Sequence, residues 1–210
     1  MKLRLVHDRD GAHAPPDERL AVVADHGRSD AERMADVARG DLTALGEVYR
    51  LYAADMFRSL RRVLGPESSA DIEDVVHTTF LKLPSIAGGF DGRASCRAWL
   101  CGIAIRIGLR QRRSVQRALA ALGAFTRVSA KTTETDPESE AGGREEMRAF
   151  EQAFAALGPK KRAVLSLIES DGLTQEQVAQ VLEIPAATVR TRLFTARNEL
   201  REAMRKKGFE

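Results

Sequence analysis

Leu173-Thr174-Gln175-Glu176-Gln177-Val178-Ala179-Gln180-Val181-Leu182-Glu183-Ile184-Pro185-Ala186-Ala187-Thr188-Val189-Arg190-Thr191-Arg192-Leu193-Phe194-Thr195-Ala196-Arg197 is the stretch on which the reading of this chain turns. Thr174 and Gln177 stand three apart, the spacing of a capping box in which each side chain satisfies the other residue's amide. Val178, Ala179 and Leu182 give the short helix that follows one apolar face. Glu183-Ile184-Pro185 breaks it, because the residue before proline is pushed out of the helical region. A longer helix then carries Val189, Leu193, Ala196, Leu200 and Ala203 at helical spacing. Arg190, Phe194, Arg197 and Arg201 run beside that stripe, with Thr191, Arg192 and Thr195 filling the exposed side. Two helices joined by a tight turn, the second rich in Arg and Thr near its start, suit the DNA major groove. A solvated arginine face on an ordinary helix pair is the competing reading.

The run Ile184 to Arg197 resembles the DNA-reading helix of bacterial sigma factors, and more narrowly that of the extracytoplasmic-function (ECF) group. Two further stretches are similar to that family in the same order. Asp71-Ile72-Glu73-Asp74-Val75-Val76-His77-Thr78-Thr79-Phe80-Leu81-Lys82 resembles the acidic helix by which sigma factors grip the coiled coil of the largest RNA polymerase subunit. Phe90-Asp91-Gly92-Arg93-Ala94-Ser95-Cys96-Arg97-Ala98-Trp99-Leu100 looks like the segment that opens the promoter. Leu157 to Leu165 again follows the family pattern.

The resemblance implies an all-α protein of two small helical domains joined by a flexible linker, the C-terminal one containing a helix-turn-helix. The expected partition is a leader at 1–29, an N-terminal domain at 30–117, an acidic linker at 118–144 and a C-terminal domain at 145–210. It implies three partners: bacterial core RNA polymerase, promoter DNA and an anti-sigma factor that holds the domains apart. The upstream promoter element would be read by Thr188, Arg190, Thr191, Arg192, Phe194 and Arg197. The downstream element would be met by Phe90, Arg93, Ser95, Arg97, Arg106, Arg110, Arg112 and Arg113. Polymerase would be gripped by Asp71, Glu73, Asp74, Val75, Thr78 and Leu81. One departure stands out: the family often has Asn at the place of Arg106 and Asp near Arg110, which puts the detailed DNA contacts there in doubt.

Composition agrees with a helical protein. The 210 residues are 43% hydrophobic but only 5% aromatic, favouring Ala/Leu/Val helix packing over a β-sandwich. A net charge of +3 and a pI near 9.1 hint weakly at nucleic acid. The distribution says more: Arg93 to Lys131 holds nine basic residues and no acid, and Glu134 to Glu146 then holds six acids against Arg144 alone. Such blocks set a local field that net charge hides. Arginines facing a DNA backbone release counterions as they neutralise phosphates. The low hydrophobicity of the Lys131–Glu140 stretch predicts disorder in isolation, either as a plain tether or as a strand threading polymerase channels.

Local signals place the other helices. Asp41 caps a long helix with the stripe Leu45, Val48, Tyr52, Met56, Leu60 and Val63, closed by Gly65-Pro66. The next buries Ile72, Val75, Val76, Phe80 and Leu83 and is expected to stop at Pro84. A third starts near Ala94 and buries Trp99, Leu100, Ile103 and Ile107; Trp99 is either core or part of a base pocket. Glu145 to Leu157 and Lys160 to Ser170 complete the set. Residues 1–29 read as a mobile leader or a functional extension.

Several classes fall away. No apolar run is long enough for a membrane span, and the N-terminus lacks a signal peptide's apolar segment, so a cytoplasmic protein is expected. Cys96 and Cys101, five residues apart, stand about 140° apart around a helix and read as two half-buried thiols that do not pair. His7, His13, His26 and His77 are scattered, no glycine-rich phosphate loop follows a strand, and no nucleophile has a base. The reading is a non-enzyme with no cofactor and no metal. Two rivals remain: a dimeric repressor or activator that footprints DNA without polymerase, and an adaptor whose helix pair no longer reads DNA.

Overall fold

The computed structural model describes residues 27–65, 69–121 and 141–209. Eight α-helices and one 3-10 turn account for nearly all of them. The first body comprises α1 (Asp30–Ala38), α2 (Leu42–Leu64), α3 (Ser69–Ile86), the turn Ala87–Gly89 and α4 (Cys96–Ala121). The second comprises α5 (Ala141–Ala156), α6 (Pro159–Glu169), α7 (Gln175–Leu182) and α8 (Ala186–Lys206).

Most boundaries follow from local chemistry. Asp41 accepts from the amides of Thr43 at 2.7 Å and Ala44 at 3.2 Å, satisfying two orphan donors of α2. Gly65 ends α2 at φ 96°, a backbone that favours glycine. Helix α1 begins where the leader was expected to end. Ser29 caps it, accepting from the Glu32 amide at 3.2 Å while Glu32 accepts from the Ser29 amide at 2.7 Å. Arg28 pairs with Asp36, so the chain is anchored just before that cap. Residues 1–26, which hold the rest of the leader, lie outside the described residues.

Other boundaries shift. Pro84 sits inside the last turn of α3, and the helix runs on to Ile86. The fully buried Leu83 and the half-buried Ile86 hold that turn against the core. Helix α4 starts at Cys96, not near Ala94, because Ser95 caps it by accepting from the Ala98 amide at 3.2 Å. It continues to Ala121, and α5 already begins at Ala141, so both ends of the expected linker are helical. The rest of that linker, with its Lys131–Glu140 stretch, lies outside the described residues.

In the first body α2, α3 and α4 enclose Met56, Leu60, Val63, Ile72, Val75, Leu83, Leu100 and Ile105. Cys96 and Cys101 are fully buried rather than half-buried, unpaired, and burial pushes both thiols up to about 12. In the second body Val164, Leu167, Val178, Val189, Leu193 and Ala196 are buried and continue the apolar cluster of the first. The two bodies pack directly on each other: α4 lies against α7 and α6, and α2 against α6.

Candidate nucleic-acid interface

The helix-turn-helix forms as its residues require. Thr174 accepts from the Gln177 amide at 3.2 Å, and the Thr174 amide donates to the Gln177 side chain at 2.8 Å. Helix α7 ends at Leu182 and is capped by Glu183, whose φ of 51° makes it the sole non-glycine with positive φ among the described residues. The Ile184 amide then donates to the Ala179 carbonyl at 3.0 Å and closes the turn.

On α8, Val189, Leu193, Ala196 and Leu200 face the core, while Arg190, Thr191, Phe194 and Arg197 face outward. Phe194 is 68% exposed, a large apolar ring left in water beside three polar neighbours. Arg197 is oriented by Glu169, with its Nε 3.0 Å from Oε1. Thr191 donates its hydroxyl to the Ala187 carbonyl at 3.0 Å, leaving its methyl group for outside contacts.

Thr188 and Arg192 do not share that face. At 100° per residue they sit about 160° and 200° round from Arg190, a separation the helical repeat alone could have supplied. Arg192 is half-buried and turned toward Arg113 of α4; burial first, then repulsion from Arg113, lowers its pKa.

The other arginine set lies along α4 and the loop before it. Phe90 and Trp99 meet edge-on with centroids 5.5 Å apart, and both are half-buried, so Trp99 is neither sealed in the core nor free. Arg93 is held by Asp91, Nε to Oδ2 at 2.7 Å. Ser95 spends its hydroxyl on the α4 cap.

Four of the remaining arginines of that set are occupied, Arg113 not among them, and three of the four by the second body. Arg97 donates to Asp171 at 2.8 Å. Arg106 and Arg110, four apart on one face of α4, each donate to one oxygen of Glu183. Arg112 donates to the Leu64 carbonyl at 2.8 Å, at the negative end of α2. Gln177 adds a bond to the Arg93 carbonyl at 2.9 Å. Asp171 and Glu183 are 70 or more residues from their partners in sequence, and no local pattern announces them.

The electrostatics of this seam are mixed. Burial raises the Asp171 carboxyl against the opposing pull of Arg97, and its Oδ2 has no hydrogen-bond partner. Burial lowers Arg106, Glu183 counteracts, and Arg110 adds repulsion. Arg162 is 8% exposed, lowered by burial and by Arg112, and its Nε has no acceptor.

On α3, Asp71, Glu73 and Asp74 are exposed in a row, Thr78 is half-buried and Leu81 is 82% exposed. Asp74 accepts from Gln111 at 3.1 Å. Val75 is a correction to the expected polymerase set: at 1% exposure it belongs to the core between α3 and α4 and offers a partner nothing. Among the described residues no group of His, Cys, Asp or Glu is placed to hold a metal ion, and no helix is long and apolar enough to cross a membrane.

Comparison with known proteins supplies the context. Residues 48–118 match the family described as Sigma-70 region 2, and residues 147–200 match Sigma-70 region 4. The chain is 25% identical over 181 residues to the ECF RNA polymerase sigma factor SigW of Bacillus subtilis, covering 83% of this chain and 96% of that one. It is 30% identical over 203 residues to SigG of Mycobacterium tuberculosis, covering 87% of this chain and 54% of that longer protein. Among solved structures, CnrH in complex with the cytosolic domain of CnrY superposes with a TM-score of 0.53 at 26% identity, over 84% of this chain and 99% of CnrH. The sigma factor RpoE in complex with the anti-sigma factor NepR from Bartonella quintana shares the fold, with a TM-score of 0.57 at 20% identity.

Proposed function

Because the chain belongs to the ECF group of bacterial RNA polymerase sigma factors, we propose that it directs core polymerase to specific promoters and assists strand opening there. It acts as a cytoplasmic, non-catalytic subunit. The observation that carries this reading is the exposed line Arg190, Phe194 and Arg197 on the second helix of a helix-turn-helix, with Thr191 beside it. An arginine making a bidentate contact to guanine supplies roughly 1–3 kcal/mol of discrimination, and the Phe194 ring and Thr191 methyl suit thymine methyl groups. The downstream element falls to the loop around Phe90, Arg93 and Trp99, where an unstacked base can meet an aromatic edge. Flipping that base out costs a few kcal/mol, recovered by stacking and hydrogen bonds.

Asp71, Glu73, Asp74 and Leu81 form the grip on polymerase, an acidic row with one exposed apolar residue. An anti-sigma partner is the expected regulator, as the anti-sigma factor NepR is found bound to RpoE. Polymerase separates and aligns the two readers, so tethering raises the effective concentration of the second contact.

Run-off transcription with purified core polymerase on random promoter libraries tests the proposal. One recovered promoter class is expected, lost in Arg190→Ala and weakened in Asp74→Arg, which keeps its fold because an exposed helical charge adds little to stability. No core-dependent transcript from the free, inhibitor-less chain would overturn it, as would footprinting that needs no polymerase.

A further inference from the structure

We infer that Glu183 is an internal stand-in for a DNA phosphate: it docks the helix-turn-helix onto Arg106 and Arg110 and so keeps those arginines from nucleic acid until the two bodies part. The inference rests on the DNA reading above, and two observations unrelated to that reading point to it.

The first is conformational. A left-handed residue closing a helix is normally glycine or asparagine, since a β-carbon is strained there. This chain places a glutamate at φ 51° instead. Inside its own body that choice gains nothing, because both carboxylate oxygens are taken by residues 73 and 77 positions away. A carboxylate meeting two guanidinium groups on one helix face reproduces what a phosphate would meet there.

The second is steric. Gly102 on α4 lies directly under Val181 of α7: a β-carbon on Gly102 would stand 1.9 Å from Val181 Cγ1, and its nearest other neighbours belong to the same valine. A glycine is therefore required at that point by the other body alone. Charge and shape both presuppose the docked arrangement.

The dock is built to release. Glu183 is 50% and Arg110 64% exposed, whereas Arg106 is 18% exposed. A half-exposed ion pair shifts an equilibrium by a factor of up to about five, small beside the gain from a polyanionic duplex. Competition with phosphate then proceeds by exchange of one anion for another.

The test uses the full chain, free of polymerase, spin-labelled at Leu51→Cys and Asn198→Cys on the two bodies; the native thiols are buried and do not label. Glu183→Gly keeps the backbone and removes the charge, and Gly102→Ala wedges the seam without touching charge. Both are expected to lengthen the interspin distance. Glu183→Gly should also bind random duplex DNA about tenfold more tightly at moderate salt. Its salt slope should steepen by about two, the signature of two more neutralised phosphates. An unchanged distance in both variants overturns the dock. A lengthened distance with an unchanged salt slope overturns the assignment of Arg106 and Arg110 to phosphate, and the inference with it. The distance needs neither DNA nor polymerase, so its failure is separable from any failure of run-off transcription.

Discussion

Helix α4 meets its own body at Gly108 and the other body at Gly102, and the two meetings are of different kinds. A β-carbon on Gly108 would come within 2.8 Å of Leu64, 3.5 Å of Leu60 and 3.6 Å of Val75, all aliphatic side chains of its own body. At Gly102 the three atoms nearest an added β-carbon all belong to Val181, which is buried yet stands outside the contiguous apolar core. Around it run Arg97–Asp171, Arg106–Glu183, Arg110–Glu183 and Arg62–Ser166. Three buried polar atoms along this seam, on Arg106, Arg162 and Asp171, have no partner. A fold commits its dry contacts to permanence; a contact rich in half-satisfied charge is one that water, or DNA, can take over. The difference marks where the molecule is meant to hold and where it is meant to part.

The largest expected effect falls on the permanent side. Leu100→Ala empties a fully buried position of α4 and should cost about 2–5 kcal/mol in a urea melt. Val181→Ala, made at the seam, removes two buried methyl groups and should cost about 1.5 kcal/mol while leaving the melting of the first body unchanged. Equal losses from the two would erase the distinction between core and seam.

A smaller effect, of opposite sign, is expected at Arg162. Its guanidinium is buried beside Arg112 with an unmatched Nε; the negative end of α2 offsets part of that charge, not all of it. Arg162→Met keeps the length of the stem and removes the charge. It should raise stability by about 1–3 kcal/mol and narrow the interbody distance distribution. A lower melting temperature would mean that the charge has an acceptor and that the seam is better satisfied than it looks.

Much of this was legible in the sequence. The capping box at Thr174, the Asp41 cap and the apolar stripes are local signals, each decided within four residues, and the helices followed. Ser29 and Glu32 carried the same signal for α1, but the pair straddled the boundary set between leader and domain. Pro84 was read as a stop, yet tertiary burial of Leu83 and Ile86 outweighed one lost amide. Arg190, Phe194 and Arg197 could be placed on one face by counting, and so could the misfit of Arg192 and Thr188. The partners of Arg97, Arg106 and Arg110 could not, because pairing across 70 residues is decided by how two finished bodies meet. Val75 shows the converse error: a motif resemblance spans every residue in a run, whereas a helix shows a partner only one of its sides.

The smallest expected effect is a pH dependence of the seam itself. Asp171 is enclosed by Arg97, Arg62 and Asp55, and burial raises its pKa above the ordinary range despite the two arginines. In the undocked chain the same carboxyl is solvated and ordinary, near 4. The docked form thus binds the proton more readily, so docking through Asp171 is strongest at acid pH and weakens as pH rises through the docked value. Glu183 is a second carboxylate in the same seam. The measurement therefore belongs in a Glu183→Gln background, comparing the interspin distance from pH 7 down to pH 4 with and without Asp171→Asn. Closure on acidification is expected with Asp171 and absent with Asn; superimposable curves would show that Asp171 is as well solvated docked as free, and that burial at this seam is shallower than the contact with Arg97 implies.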